Sequence, residues 1–321
     1  MLGTPEDNGV GARRFPAFAG IAPPIGATLR IHLIRTIEPL LMLSYRHAFH
    51  AGNFADVVKH ATLTLALQSL LKKDAALCYL DTHAGSGAYD LHGAPARKTG
   101  EHRDGISRIW QRTDTPELLA PYLDAVRAFN AEPELRYYPG SPRLVHGMLR
   151  SNDRMVLMEL HTTEYPLLKQ EFAADSRVAV HHVDGFEGLK AFVPPKERRG
   201  LALVDPSYEV KTDFDNAVAA IHAAHERWAT GVYLLWYPVL DRALVNRLER
   251  RLLETGIKKI LLAELCVRAD DTASGLNGCG MVVINPPWQL DEQLKVLLPW
   301  LYQALAPKGA GGYRVEWLVR E

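Results

Sequence analysis

Apolar stretches of strand length alternate along the chain with segments whose apolar positions recur at helical spacing. Segments 54–73 and 167–174 show the spacing of amphipathic helices. The alternation predicts an α/β fold with a doubly wound, Rossmann-like sheet of seven strands. The predicted strands are 75–80, 154–160, 178–183, 201–204, 231–237, 257–267 and 280–285.

One long segment interrupts this alternation. Between residues 92 and 138 the apolar positions, including Ile106 and Ile109, follow helical spacing, and the segment is too long for an ordinary loop. We therefore expect a helical insertion at 92–138 within a main domain formed by 42–91 and 139–321. Residues 1–41 are rich in Gly, Pro and Ala and lack periodicity, which predicts a disordered extension or an upstream start-site artefact.

Composition limits the classes of function. Lys and Arg total 37 and Asp and Glu total 37, so a nucleic-acid site must be a local patch. Cys78, Cys266 and Cys279 are far apart, which predicts reduced thiols in a cytoplasmic protein. No apolar run has the length and lack of charge of a membrane span. His47 and His50 have loose metal-ligand spacing, but no further ligands complete a site, so we expect no metal.

The strand predicted at 201–204 ends in Asp205-Pro206-Ser207-Tyr208. Pro206 favours extended backbone at Asp205 and stops further ladder bonding, at the sheet edge where ligands bind. The exocyclic amine of a purine is a poor nucleophile because its lone pair is delocalised into the ring. The Asp205 carboxylate and the Pro206 carbonyl can each accept one of its N–H groups, and Tyr208 can stack on the base. The tetrapeptide is therefore a candidate site for amine alkylation; the alternative is a strand end whose Asp caps the next turn.

Acidic residues also follow three other predicted strands. Asp81 opens a glycine-rich turn of the kind that admits a nucleotide cofactor, although Asp90 replaces the third glycine of the dinucleotide fingerprint. Glu159 can accept hydrogen bonds from ribose hydroxyls, and Asp184 can meet an adenine amine. Together with Asp205, these four strand ends predict a nucleoside cofactor at one sheet edge.

A second tetrapeptide, Asn285-Pro286-Pro287-Trp288, fits the pattern of amine-methylating enzymes better than the first, where Ser207 replaces the usual second proline. Chain order nevertheless favours Asp205, because the acidic strand ends precede it and the seventh strand belongs to the other side of the sheet. We expect Trp288 to be a packing residue.

Four segments resemble the bacterial 23S ribosomal RNA adenine-N6 methyltransferases of the RlmJ type, and the resemblance runs from Met42 almost to the C-terminus. It implies a class I methyltransferase fold, S-adenosyl-L-methionine as the donor and an adenine of 23S ribosomal RNA as the acceptor. The segments are Tyr45-Arg-His-x-Phe-His-Ala-Gly-Asn-x-Ala-Asp-Val-x-Lys-His60, Tyr79-Leu-Asp-Thr-His-Ala-Gly-x-Gly87, Arg136-Tyr-Tyr-Pro-Gly-Ser-Pro142 and Trp236-Tyr-Pro238.

The resemblance also implies roles for individual residues. Asp205 is implied as the catalytic carboxylate that touches both cofactor and target amine, and Tyr45 as a contact to the target adenine or a cover of the site. The family motif reads D-P-P-Y, so Ser207 is a departure that bears on the stiffness of the loop. The expected cofactor-binding residues are Lys59, His60, His83, Gly85, Ser141, Glu159, Asp184, Gly185 and Asp205.

The sequence therefore predicts an enzyme that transfers a methyl group directly to an adenine amine in 23S ribosomal RNA, in protein-free RNA or an early assembly intermediate. Adenine-N6 methylation of DNA remains open, because the local motif is the same. The sequence is also compatible with a catalytically impaired RNA-binding relative and, more remotely, with a nicotinamide dehydrogenase.

Overall fold

The computed structural model describes residues 46–131, 133–269, 272, 275–306 and 309–321. The expectations for residues 1–41 and for Tyr45 lie outside these residues. The strands within the described part are β1 (Cys78–Asp81), β2 (Ala88–Asp90), β3 (Tyr137–Pro139), β4 (Arg154–Met158), β5 (Val178–His181), β6 (Gly200–Val204), β7 (Val232–Val239), β8 (Ile260–Cys266), β9 (Gly278–Ile284) and β10 (Gly312–Val319). The helices there are α1 (Phe54–Leu71), α2 (Ala94–Thr99), α3 (Ile106–Ile109), α4 (Ala120–Arg127), α5 (Ser141–His146), α6 (Glu164–Glu171), α7 (Gly185–Phe192), α8 (Asp213–Arg227), α9 (Arg242–Glu254) and α10 (Leu290–Leu305).

Among the described residues, eight strands form the main sheet in the order β10-β8-β9-β7-β6-β1-β4-β5. Five neighbouring strands are parallel: β7, β6, β1, β4 and β5. On the other side of β7, the pairs β7–β9, β9–β8 and β8–β10 are antiparallel. All seven predicted strands are present and the Rossmann-like α/β class is confirmed. The eighth strand, β10, was not predicted; it is an edge strand whose residues are mostly half-buried, so its apolar pattern is weak.

Four of the parallel strands, β1, β4, β6 and β7, are mostly buried on both faces, whereas the edge strand β5 is half-buried. In β6, Leu201 and Leu203 face one apolar core and Ala202 and Val204 face the other, as the two-residue period of a strand requires. Helix α1 packs in the first core with α10, while α8 and α9 cover the opposite face. The carboxyl ends of these strands therefore lie between two helical layers.

Helix α1 brings polar residues into this core. Its cap is Asn53, whose side chain accepts a hydrogen bond from the Asp56 N–H at 2.9 Å. The helix is buried over its first fourteen residues, including Asp56, Lys59 and His60. Buried polar groups need partners, and these three side chains lie where α1 borders the strand ends.

The segment from 92 to 138 contains α2, α3 and α4, as its helical spacing predicted. Ile106, Ile109, Tyr122 and Val126 are buried in the same core as α1. The division into a main domain and an insertion stays a prediction.

The three cysteines are buried and none forms a disulfide, as expected for reduced thiols. Within the residues that the structure describes, no helix combines the length and the apolar composition needed to span a bilayer.

Candidate active site

The carboxyl ends of four neighbouring strands border a cavity of about 800 Å³. In the sheet order β6-β1-β4-β5 these ends carry Asp205, Asp81, Glu159 and Asp184, so the predicted succession of acidic residues is confirmed. Glu159, Asp184 and Asp205 line the cavity, whereas Asp81 is fully buried behind it. The volume is in the range of cavities that hold a small-molecule ligand.

Every candidate site residue in the described part of the chain lines this cavity. The grouping agrees with the sequence prediction, while contacts of each residue with a ligand stay predictions. The lining candidates are Lys59, His60, His83, Gly85, Ser141, Glu159, Asp184, Gly185, Asp205, Pro206 and Tyr208.

Asp205 is held by a buried lysine. The Lys59 ammonium donates to Asp205 Oδ2 at 2.6 Å and lies 2.8 Å from Asp56 Oδ1. Lys59 is only 4% exposed; burial lowers its pKa, but attraction to Asp205 and Asp56 outweighs this and raises the pKa well above its ordinary value. Lys59 is therefore a permanent cation, and Asp205 Oδ1, which has no hydrogen-bond partner among the described residues, remains for a ligand.

Asp56 completes this cluster and was not among the candidates. Its second oxygen pairs with His47 Nε2 and accepts from the Gly52 N–H, both at 2.9 Å. Burial raises the Asp56 pKa, but His47 and Lys59 bring the net pKa well below the ordinary range. The signal in the sequence was spacing: Asp56 precedes Lys59 by three residues, on the same face of a helix.

Glu159 joins two loops at the cavity. Its carboxylate accepts from the backbone N–H of Gly85 and from that of His161, each at 2.7 Å. Gly85 has a φ of +61°, and a Cβ there would lie 2.3 Å from the Tyr89 hydroxyl oxygen, so the turn requires glycine. Burial raises the Glu159 pKa against these two hydrogen bonds. Its remaining lone pairs can accept hydroxyl donors.

Asp81 supports the site from behind. Its Oδ2 accepts from the hydroxyls of Tyr79 and Ser141, both at 2.7 Å, and its Oδ1 accepts from the His83 N–H at 3.3 Å. Burial raises the Asp81 pKa to about 6, although the hydroxyl hydrogen bonds favour its charged form. Asp81 thereby fixes the position of two cavity residues without lining the cavity itself.

The start of helix α7 forms another part of the cavity wall. Asp184 caps this helix, because its Oδ1 accepts from the backbone N–H groups of Phe186 and of the residue after it, at 2.9 and 3.0 Å. A Cβ on Gly185 would lie 2.1 Å from the Thr82 carbonyl oxygen, so glycine permits this close approach. Burial lowers the pKa of the half-buried His83 to about 4, which keeps its ring neutral.

The loop after β6 is fixed at Tyr208. This residue has a φ of +54° and is 7% exposed, and its hydroxyl donates to the Trp236 carbonyl at 2.6 Å. Its ring centroid lies 4.5 Å from that of Phe214 and 5.8 Å from that of Trp236. The loop is thus anchored despite Ser207. Much of the Tyr208 ring is covered by protein, so its stacking on a base stays a prediction.

The second tetrapeptide lies elsewhere. Strand β9 runs antiparallel to β7, so Asn285 follows it at the opposite edge of the sheet from Asp205. The Asn285 amide donates to the carbonyls of Ala229 and Gly231, both at 2.8 Å, which is a structural role. The expected packing role of Trp288 is wrong: this residue is 82% exposed, because it lies in the turn before the buried face of α10 begins.

The two histidines with metal-like spacing have carboxylate partners. His47 pairs with Asp56, and His50 Nδ1 lies 3.0 Å from Glu101 Oε1. No group of three His, Cys, Asp or Glu side chains in the described part of the chain could hold a metal ion.

This fold, with successive acidic strand ends around one cavity, defines a class I Rossmann-like methyltransferase. Residues 74–319 match the protein family described as "Ribosomal RNA large subunit methyltransferase D, RlmJ". The chain belongs to this family.

Relatives along nearly the whole length agree with this assignment. The chain is 50% identical over 280 residues to ribosomal RNA large subunit methyltransferase J of Escherichia coli (strain K12), a match that covers 87% of this chain and 100% of the relative. It is 49% identical over 281 residues to the Haemophilus influenzae protein of the same name, with 87% and 100% covered. The crystal structure of protein LPL1258 from Legionella pneumophila str. Philadelphia 1 has 39% identity and a TM-score of 0.78, covering 84% of this chain and 98% of that one.

The methyl donor of the class is S-adenosylmethionine, and the cavity residues fit it. The cavity is large enough, and its wall carries the carboxylates of Glu159 and Asp184, which can accept hydrogen bonds from hydroxyl and amine groups. His60 Nε2 is buried there without a hydrogen-bond partner in the described residues, which is the condition of a group that awaits a ligand.

Proposed function

We propose that this protein methylates the N6 amine of a specific adenine in 23S ribosomal RNA. The observation that carries the proposal is the state of Asp205: one carboxylate oxygen is bound by Lys59, and the other is available at the cavity beside the acidic strand ends. Family membership supports the RNA substrate, since the relatives are ribosomal RNA methyltransferases by name. Bound S-adenosylmethionine would supply an electrophilic methyl group.

In the proposed mechanism, Asp205 Oδ1 accepts one N–H of the adenine amine and the Pro206 carbonyl accepts the other. These two contacts orient the amine so that its lone pair faces the methyl group. Lys59 fixes the position of the Asp205 carboxylate. Rate acceleration comes mainly from positioning, for which effective molarities reach roughly 10⁵ M or more. The methylated amine is cationic and readily loses its proton, so neither a strong base nor a covalent intermediate is needed.

We assign the cofactor contacts along the same edge. Glu159 accepts from the ribose hydroxyls, and the Asp184 oxygen that does not cap α7 accepts from the adenine amine of the cofactor. Lys59, His60, His83, Gly85, Ser141 and Gly185 complete the wall. The part of the Tyr208 ring that borders the cavity contacts the target base, where stacking contributes about 1–3 kcal/mol. Tyr45 is proposed as a further base contact.

The substrate is proposed to be protein-free 23S RNA or an early assembly intermediate in the cytoplasm. The base must leave its stack to reach a cavity among strand ends, at a cost of about a few kcal/mol, and this cost is lowest where the RNA is unpaired. Segment 92–138 is proposed as an insertion into a main domain of residues 42–91 and 139–321, and as part of the substrate surface.

The test is mass spectrometry of ribosomal RNA from the source organism with and without this gene. We expect one N6-methyladenine of 23S RNA to disappear with the gene and to return when the purified protein methylates the deficient RNA. Duplex DNA is the matched comparison substrate. Methyl transfer to DNA but not to the deficient RNA would refute the proposal.

A further inference from the structure

His60 occupies an unusual position between the cavity and the protein interior. It lines the cavity, is 1% exposed, and has a buried Nε2 without a hydrogen-bond partner among the described residues. Its Nδ1 lies 2.8 Å from the Tyr138 hydroxyl, and the two rings are stacked with centroids 5.6 Å apart. Burial lowers the His60 pKa to about 3, so the ring is neutral and carries a single N–H.

The hydroxyl of Tyr138 has one further neighbour. Tyr122 Oη lies 3.0 Å from Tyr138 Oη, and both tyrosines are fully buried. Within the described part of the chain, the Tyr122 hydroxyl has no other hydrogen-bond partner. The three side chains therefore form a short line of hydrogen bonds with Tyr122 at one end and His60 Nε2 at the other.

The two directions of donation leave different numbers of groups unsatisfied, because His60 Nε2 has no partner among the described residues. If Tyr122 donates to Tyr138 and Tyr138 donates to His60 Nδ1, both hydroxyl hydrogens are used and the ring N–H is on Nε2. If His60 Nδ1–H donates instead, the sequence of donors reverses and the Tyr122 hydrogen is left buried without an acceptor. Such an orphaned donor costs about 1–3 kcal/mol. The first arrangement leaves one group unsatisfied, the Nε2–H, whereas the second leaves both the Tyr122 hydrogen and the Nε2 lone pair without partners, so the first is the more stable.

We propose that Tyr138 is a positioning residue of the methyltransferase, which fixes His60 in the Nε2–H tautomer so that His60 donates a hydrogen bond from the cavity wall to an acceptor atom of the cofactor. The role in cofactor binding rests on the proposed function; the tautomer does not. Tyr138 belongs to β3 and Tyr122 to α4, so segment 92–138 contributes to the cofactor site through this line of hydroxyls.

The tautomer is measured in the ligand-free protein by long-range ¹H–¹⁵N correlation of ¹⁵N-histidine-labelled samples, with His60→Gln used to assign the ring. We expect the Nε2–H pattern in the wild-type protein. Tyr138→Phe removes the donor to Nδ1 and should produce a mixture of tautomers. Tyr122→Phe is the matched control, because it removes a tyrosine hydroxyl that lies one hydrogen bond further from His60. The Tyr138 hydrogen still has His60 Nδ1 as its acceptor in this variant, so the Nε2–H pattern should persist.

The functional readout is calorimetric binding of S-adenosylhomocysteine, which needs no turnover. Loss of one oriented neutral hydrogen bond predicts a Kd about three- to ten-fold weaker in Tyr138→Phe, and a change below about two-fold in Tyr122→Phe. In a His60→Ala background, Tyr138→Phe should have no further effect, because the group it orients is gone.

The role of Tyr138 and the proposed function are refuted by different results. A wild-type His60 in the Nδ1–H form, or a Tyr138→Phe effect on Kd that persists in the His60→Ala background, refutes the role of Tyr138 while leaving the proposed function intact. Failure of the wild-type protein to bind S-adenosylhomocysteine refutes the proposed function and with it the cofactor contact, whatever the tautomer.

Discussion

The substitution Asp205→Asn separates the chemistry of the site from its stability. In the wild-type protein, Oδ2 accepts from Lys59 and Oδ1 is available for the adenine amine. An asparagine side chain has one oxygen. We expect this oxygen to accept the hydrogen bond from the buried Lys59 ammonium, because the only other hydrogen-bond partner of Lys59 among the described residues is Asp56. The amide NH₂ then faces the cavity, where it meets the N–H groups of the target amine.

The expected loss follows from these two changes. The charge-assisted hydrogen bond to the amine disappears, worth about 1.5–3 kcal/mol, and two donors that face one another leave a buried polar group unsatisfied, which costs about 1–3 kcal/mol. The sum of about 2.5–6 kcal/mol corresponds to a decrease in kcat/KM of about 10²- to 10⁴-fold. The free energy of unfolding should change by only about 1 kcal/mol, because Lys59 keeps both of its partners.

The assay measures transfer of a tritiated methyl group to unmethylated 23S RNA, with urea denaturation on the same samples. Trp288→Ala is the control, because it alters the tetrapeptide at the opposite edge of the sheet and removes an exposed side chain; its activity should stay within about two-fold of wild type. If Asp205→Asn folds normally and its kcat/KM decreases by less than tenfold, the role given to the carboxylate is refuted.

The other predictions concern the surroundings of Asp205. Lys59→Met should lower the free energy of unfolding by about 3–5 kcal/mol and abolish methyl transfer, because it leaves the buried Asp56 carboxylate and the half-buried Asp205 carboxylate without their shared cation. A variant that is as stable as wild type in urea titrations and active in the tritium assay would contradict this. Tyr208→Ala should reduce methyl transfer less than Asp205→Ala does, and the reverse order in the tritium assay would show that the roles are misplaced. Acid should destabilise the fold through His60, whose pKa is about 3 when folded and about 6.5 in an unfolded chain. Below pH 6.5 only the unfolded state takes up this proton, so unfolding free energy falls by up to about 1.4 kcal/mol per pH unit towards pH 3, and His60→Gln should lose that part of the slope.

The order of the strands explains why the acidic residues of the site could be predicted, whereas the other candidates came from the family resemblance. Parallel strands that alternate with helices place their carboxyl ends at one edge, so Asp81, Glu159, Asp184 and Asp205 had to meet there once the alternation was identified. The edge strand β10 has no comparable signal, because only one neighbour pairs with it and much of it is half-exposed.

Contacts between distant residues could not be predicted in this way. Lys59 and Asp205 are 146 residues apart, and their ion pair depends on how α1 packs against the end of β6. The line from Tyr122 through Tyr138 to His60 likewise requires segment 92–138 to pack against α1. Apolar periodicity sets which face of a helix is buried, but it does not identify the particular polar group that a buried side chain meets.

The hydrogen bond from Tyr208 to residue 236 has a consequence for sequence drift in this family. Its acceptor is a main-chain carbonyl, which every amino acid supplies, so replacement of the tryptophan side chain cannot delete it. This hydrogen bond of the loop that carries Asp205 therefore depends on the side chain at position 208 but not on the side chain at position 236. A substitution at position 236 leaves this acceptor in place, whereas loss of the phenol at position 208 removes the donor and with it the hydrogen bond.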